Sequence, residues 1–381
     1  MDSLPLELLG EIATFVHHTE LLSLRLVQRR FKDVVTRQAF QEIVVHDRYP
    51  SVRRFHTMLD ECNDDEILEG VESVVFDGKD PDHFDMGADS TLPSIESAFS
   101  RLSRFPNLSS LNLDFFPGST PDEYEIYMSY YVTIQVSFWR ELAQQSFPNL
   151  RRLNIGAMVS FLDETITPDH PFLELFRPLT TLSINIVSLF QMRRIPAQVL
   201  QFNQNLMNIL SPTNNITSLE LGTLDFLGPT APYRFEAYRF PLLSHLKLSK
   251  IVFAAMEADE LGPSVERGQR LTAEQFIINH RLSLRRLELE NCLVALPDGQ
   301  WCHVLRRLRK SLKLLLEFTW NITVASGTDS EEKEPKKFLY GVPMGRTRIY
   351  VLSPADDDRA EDLAALEQLQ VAVATNPVSN Q

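Results

Sequence analysis

The sequence predicts an α/β chain: three short helices at the start, then an irregular solenoid of parallel strands joined by crossover helices. Three observations carry this. Helix-start signals and leucines at helical spacing fill the first forty-five residues. A strand template, L-x-x-L-x-L-x-x-φ with φ apolar, then recurs through the chain. Between its occurrences lie segments with i, i+3/i+4 apolar spacing.

The first helix opens at Leu4-Pro5-Leu6-Glu7-Leu8. Ser3 can cap it, and proline suits a first turn because the N–H it lacks has no helical partner there. Leu8, Ile12 and Phe15 follow at helical spacing. Thr19 can cap a second helix over Glu20–Val27, and a third runs from Arg29 to Thr36. About forty residues are too few for a self-sufficient core without metals or disulfides, so some of these leucines must meet another surface.

LPLELLGEI, a spacer and LLSLRLVQRRFKDVV resemble the F-box, a helical module of ubiquitin-ligase subunits, over Leu4 to Phe40. The resemblance implies docking on the Skp-type adaptor of cullin ubiquitin ligases. By position, the contacts it implies are Leu4, Pro5, Glu7, Leu8, Ile12, Leu21, Leu24, Val27 and Phe31. Gln28 stands where the family often has a small residue, and Phe31 where it often has tryptophan. The alternative is that the helices only cap the repeats, since solenoid ends need amphipathic caps.

The strand template fits at Leu108-Leu111-Leu113-Phe116, Leu150-Leu153-Ile155-Met158 and Leu179-Leu182-Ile184-Val187. It fits again at Ile216-Leu219-Leu221-Leu224, Leu243-Leu246-Leu248-Ile251 and Leu284-Leu287-Leu289-Cys292. Three occurrences begin Phe-Pro-x-Leu, where proline ends the preceding helix and can open a strand. The starts lie 42, 29, 37, 27 and 41 residues apart, longer and less even than regular leucine-rich repeats of ~20–29 residues. Helices are expected at Phe138–Gln145, Ala197–Leu210, Thr272–His280 and Trp301–Lys313, and further strands at Ile43–Val45, Val71–Phe76, Leu314–Phe318 and Arg348–Leu352. A β-propeller of similar period would need four strands per blade and a dipeptide signature that the chain lacks. The whole resembles the F-box/leucine-rich-repeat proteins common in filamentous fungi. The resulting division is a module over 1–45, a repeat domain over 46–352 and a mobile tail over 353–381. Loops are expected at Gly78–Thr91, Gly118–Glu123, Gly228–Tyr233 and Ala325–Lys337.

The 381 residues are 44% hydrophobic and 23% charged, with net charge −14. An acidic whole argues against general nucleic-acid binding. No run approaches the ~18–20 apolar residues of a membrane helix, and no signal or lipidation motif is present. Three scattered cysteines fit a reducing compartment, hence cytoplasm and/or nucleus. Nucleophile, phosphate-loop and metal-ligand motifs are absent, so no catalytic residue, metal or cofactor is expected, and a hydrolase on this scaffold is the weakest reading.

Charge is uneven. Asp60–Asp89 holds twelve acidic residues against Lys79, a net of −11, whereas Arg281–Lys313 holds eight Arg or Lys against three acids, a net of +5. Arg285, Arg286, Arg306, Arg307 and Arg309 are the candidate target-binding residues, suited to a phosphorylated or acidic peptide. The competing readings are an outward helix face, and a patch covered by the acidic 60–89 segment.

Overall fold

The computed structural model describes residues 4–16, 18–27, 29–62, 65–78, 91–115, 121–159, 171–187, 206–211, 213–223, 235, 238–253, 272–296, 299–322, 338–344, 348–352 and 356–376. The chain divides into two compact units, Met1–Gly156 with His170–Leu179, and Ala157–Asp169 with Thr180–Gln381. The N-terminal helices fall within the first unit.

The first unit begins with α1 (Leu6–Thr14), α2 (His18–Val27) and α3 (Arg29–Ala39). There follow β1 (Glu42–His46), α4 (Tyr49–Glu61), α5 (Asp65–Gly70), β2 (Ser73–Asp77) and α6 (Thr91–Phe99), then β3 (Ser110–Asp114), α7 (Pro121–Ala143) and β4 (Arg152–Val159). Its strands pair in parallel in chain order, with Val74, Leu111 and Leu153 in one register row. Alternation sends every second side chain inward, so Val45, Val74, Phe76, Leu111, Leu113, Leu153 and Ile155 are buried. Helices α4, α6 and α7 supply the facing aromatics. Phe138 lies 4.2 Å from Phe99 and 4.8 Å from Phe76, centroid to centroid.

The second unit contains β5 (Thr181–Val187), β6 (Ser218–Thr223), β7 (His245–Ser249), β8 (Val252–Phe253), α8 (Thr272–Asn279), β9 (Arg286–Glu290) and β10 (Leu293–Ala295). It continues with α9 (Trp301–Ser311), β11 (Glu317–Asn321), β12 (Tyr340–Met344), β13 (Arg348–Leu352) and α10 (Asp356–Ala374). Strands β5, β6, β7, β9 and β11 run parallel, and Leu182, Leu219, Leu246 and Leu287 occupy one register row, all buried. A smaller sheet has the order β13-β12-β10-β8 and is parallel except for β12 against β13.

Two local devices repeat. Each Phe-Pro-x-Leu segment is a tight turn: the N–H of Leu108, Leu150 and Leu243 donates to the carbonyl of Phe105, Phe147 and Phe240 at 3.1–3.2 Å. Proline therefore sits second in a turn, where its fixed φ fits, rather than opening the strand. At the strand starts one carbonyl accepts two N–H groups from the next repeat. Gln41 takes those of Glu72 and Ser73, Thr217 those of Ser244 and His245, and Ser244 those of Arg285 and Arg286. Each repeat is thereby registered by its neighbour, as a one-dimensional array requires.

Ala157, Lys250 and Asn291 have positive φ (54°, 54° and 49°). All three stand seven residues after the first leucine of their template. Lys250 and Asn291 turn the chain from β7 into β8 and from β9 into β10. Their N–H groups donate to the carbonyls of Glu290 and Asn321 at 2.8 Å, offsetting a conformation that costs a non-glycine residue about 1–2 kcal/mol.

Several expectations are corrected. Helix α1 begins at Leu6 with Pro5 as N-cap and no side-chain cap, and Ser3 lies outside the described residues. Helix α7 opens at Pro121, inside the expected 118–123 loop, because proline is as well suited to a helix's first turn as to a loop. The expected strand at 314–318 is displaced to Glu317–Asn321. Residues 79–90, 188–205, 224–234 and 323–337, on which other expected loops and most of the 197–210 helix fall, lie outside the described residues.

The largest correction concerns the tail. Asp356–Ala374 is a helix that buries Ala365, Leu366, Leu369 and Val373 and packs on α9 and β11. It is tethered by Asp362, whose carboxylate is 1% exposed. Asp362 Oδ1 accepts the Cys302 N–H at 2.7 Å and Oδ2 the Tyr340 O–H at 2.7 Å, while Tyr340 Oη accepts the Trp301 N–H at 3.1 Å. Gln300, the N-cap of α9, makes no side-chain cap bond, so Asp362 and Tyr340 satisfy that helix's first orphan N–H groups from outside it. Burial, then the bond to Asp362, pushes the Tyr340 hydroxyl well above the usual tyrosine range.

Candidate functional site

The N-terminal helices hold one another through Leu9, Ala13, Leu21, Phe31, Val35 and Ala39, with Leu4, Val16, Leu24, Val34 and Phe40 packed around them. Arg25 ties α2 to α3: its Nε donates to Thr36 Oγ1 at 3.0 Å, and its guanidinium lies 5.2 Å from the Phe40 ring centroid. Helix α3 packs against α5, and an added Cβ on Gly70 would meet Arg37 at 3.3 Å.

This small core leaves apolar side chains outside it. Leu8, Ile12 and Val27 are 44%, 46% and 73% exposed, while Phe15 and Leu26 are each 85% exposed. Leu6 and Leu22 are also exposed. On α1 the positions 8, 12 and 15 form one helical stripe, and on α2 the positions 22 and 26 form another. Leaving such side chains in water forgoes roughly 25 cal/mol per Å², and a contiguous apolar surface of this kind marks an interaction site.

The residues implied by the resemblance therefore divide. Pro5, Glu7, Leu8, Ile12 and Val27 are exposed, and Leu4 and Leu24 are half-buried against the helical core. Leu21 and Phe31, expected as contacts, are 2% and 5% exposed. They pack in the helical core, where they hold α2 and α3 together. Phe15 escaped the motif but not the periodicity, which put it on one stripe with Leu8 and Ile12, whereas Leu6, Leu22 and Leu26 were marked by neither.

The arginine patch dissolves into separate pairs. Arg307 makes a bidentate contact to Glu274, a buried carboxylate on α8. Arg306 bonds Glu361 at 3.2 Å and Arg309 bonds Gln368 at 2.5 Å, both on α10. Arg286 lies 2.7 Å from Glu288 and 3.5 Å from Glu317, and Arg285 donates to the carbonyl of Leu284. The arginines serve acceptors on different elements of their own chain instead of converging on one concavity, because each α9 guanidinium lies within reach of α8 or α10. Residues 79–90 of the acidic segment lie outside the described residues, and Asp60 pairs with Arg101.

The sheet of the second unit has a buried apolar face and a polar one. On the polar side Ser218, His245 and Glu288 form a chain: Ser218 Oγ lies 3.0 Å from His245 Nδ1, and His245 Nε2 lies 2.8 Å from Glu288 Oε1. Lys247 Nζ bridges Glu220 at 2.9 Å and Glu290 at 3.2 Å. Burial pushes the Glu288 carboxyl up, but the bonds from His245 and Arg286 outweigh it and hold it below the usual carboxylate range. For Lys247, partial burial is likewise outweighed by its two carboxylates, which raise its ammonium. Ser218, His245 and Glu288 thus form a polar ladder across three parallel strands, and the Ser218 N–H donates to the Thr180 carbonyl. Among the described residues no group of three or more His, Cys, Asp or Glu is placed to hold a metal ion, and no helix is long and apolar enough to cross a membrane.

No protein-family model and no curated protein matches the chain. Among solved structures the chain is similar to one in the crystal structure of the Rad7 and Elc1 complex in yeast, at 12% identity, with 85% of this chain and 89% of that chain covered and a TM-score of 0.24.

Proposed function

We propose that this chain is the substrate-recognition subunit of a Skp–cullin–F-box-type ubiquitin ligase, with a non-catalytic role in the cytoplasm and/or nucleus. A Skp-type adaptor, and through it a cullin, docks on α1 and α2, and the leucine-rich-repeat strands hold a target protein. The observation that supports this reading is the pair of apolar stripes left outside the helical core, Leu8–Ile12–Phe15 and Leu22–Leu26, together with Val27. A second reading, in which the helices only cap the repeats, is favoured by the packing of α3 on α5. Capping accounts for α3 but leaves the two stripes unexplained.

The test is a titration of purified Skp-type adaptor against the full chain and against Leu8→Asp plus Val27→Asp. Both side chains are exposed, so the double variant is expected to melt within a few degrees of wild type while losing at least about tenfold in affinity, since buried apolar anchors carry most of an interface's energy. Unchanged affinity, or no affinity in the wild type, favours the cap.

A further inference from the structure

Resting on the reading that the repeats hold a target, we propose that the target is captured at the rim where β7, β9 and β11 begin, through a segment that combines aliphatic side chains with carboxylates. Three successive repeats leave a leucine in water there. Leu242 precedes β7, Leu282 precedes β9 and Leu316 precedes β11, and they are 53%, 75% and 36% exposed. These strands are neighbours in the sheet, and their starts are tied rung to rung. Ser244 accepts the N–H of Arg285, and Arg285 accepts that of Leu316, each at 2.7 Å. With neighbouring strands about 4.8 Å apart, the three leucines fall within about 10 Å across the sheet, an apolar patch and not scattered single side chains.

The fold does not require leucine here. The Phe-Pro-x-Leu turns of the first unit carry asparagine in the third place. Asn107 and Asn149 each donate through Nδ2 to a carbonyl of the preceding repeat, that of Glu69 and that of Pro106, both at 2.8 Å. Leu242 stands at the same place in the third such turn, forgoes that bond and gains no burial in exchange. A second observation gives the sign of the occupant. Over residues 239–244, 279–286 and 311–317 the sequence has five Arg or Lys against Glu317, and Arg286 takes that glutamate at 3.5 Å. Arg281, Arg285 and Lys313 reach only carbonyls of their own segments, those of Ile278, Leu284 and Arg309, at 3.4–3.5 Å. Among the described residues none of these three pairs with a carboxylate, whereas Arg286, Arg306 and Arg307 do. Uncovered leucines beside cations without carboxylates define the complementary surface: aliphatic groups that cover Leu242, Leu282 and Leu316, and Asp or Glu side chains that accept from Arg281, Arg285 and Lys313.

The probe is a labelled amphipathic peptide with leucines at i, i+3/i+4 spacing and glutamates beside them, titrated against the full chain without adaptor. This assay can fail while adaptor docking holds, and the reverse. Binding is expected, and exchanging the peptide's leucines for serine, or its glutamates for lysine, should each weaken it at least about tenfold. In the chain, Leu242→Asn supplies the side chain that the other two turns already carry, so it should melt with the wild type and weaken binding at least about threefold. Leu282→Ser, at the most exposed of the three leucines, should do the same. Arg281→Glu plus Lys313→Glu should weaken binding at least about tenfold, whereas Arg53→Glu plus Arg54→Glu, the same charge change on exposed positions of α4, should not. The proposal is overturned by no binding, by equal binding of the lysine peptide, or by tighter binding of a phosphopeptide that lacks leucine. Unchanged affinity in both Leu242→Asn and Leu282→Ser overturns it too, as does a dimer of the full chain that these two substitutions abolish, which assigns the rim to a second copy.

Discussion

His280 shows how one buried polar residue ties function-neutral chemistry to stability. Its Nε2 accepts the N–H of Phe240 at 3.1 Å and its Nδ1 faces the carbonyl of Phe276 at 2.8 Å, an arrangement that requires the neutral ring with hydrogen on Nδ1. Burial first, and the nearby Arg239 charge, lower its affinity for a proton despite the Phe276 bond. The folded pKa therefore lies below the unfolded one near 6.5, and the stability due to neutral His280 is present above that value and lost as pH falls toward the folded pKa. Unfolding free energy should decline as pH falls below about 6.5, and His280→Gln should flatten that part of the profile; denaturant melts across pH check it. Asp362 makes a second residue-scale prediction. Asp362→Ala leaves the Cys302 N–H and the Tyr340 O–H buried without their acceptor, at a cost of about 3 kcal/mol or more. A loss below about 1 kcal/mol would show that α10 does not depend on this staple. Neither residue was legible in the sequence, because its partners stand up to sixty positions away and no local pattern marks them.

At the scale of elements, the strands were legible and the connections less so. Leu111, Leu153, Leu182, Leu219, Leu246 and Leu287 were expected at equivalent inward positions on parallel strands, and the observed registers place Leu111 with Leu153 and the other four in one row. The template reads through because one sheet face must be apolar and the period of a strand is two. The turns into the second sheet do not read through: Lys250 and Asn291 share a conformation and a template position, and nothing in their chemistry announces it. The C-terminal helix was read as a mobile tail, although Leu363, Leu366 and Leu369 stand at helical spacing and acidic residues such as Asp356-Asp357-Asp358 are favoured where a helix begins. A chain ending after Leu352 should therefore lose several degrees of melting temperature, as it uncovers the α9 side carrying Cys302, Arg306 and Arg309 and removes the acceptor of the Cys302 N–H. A truncated chain as stable as the full one would restore the mobile tail.

For the whole molecule, the proposed docking surface is the pair of apolar stripes on α1 and α2. The docking end was partly legible. The motif located the module, but it mixed residues that face out, such as Leu8 and Val27, with Leu21 and Phe31, which hold the helices together. A motif records which positions are constrained and not which way they point. The arginines expected at the target end do not converge: Arg306 and Arg309 look free on their helix in sequence, while their partners Glu361 and Gln368 come from α10. The central claim, docking through α1 and α2, is tested most directly by amide hydrogen exchange of the full chain with and without saturating Skp-type adaptor. The account predicts slowed exchange confined to Leu6–Val27, with the strands β2 to β11 unchanged. Protection that falls elsewhere, or none within Leu6–Val27, would contradict it.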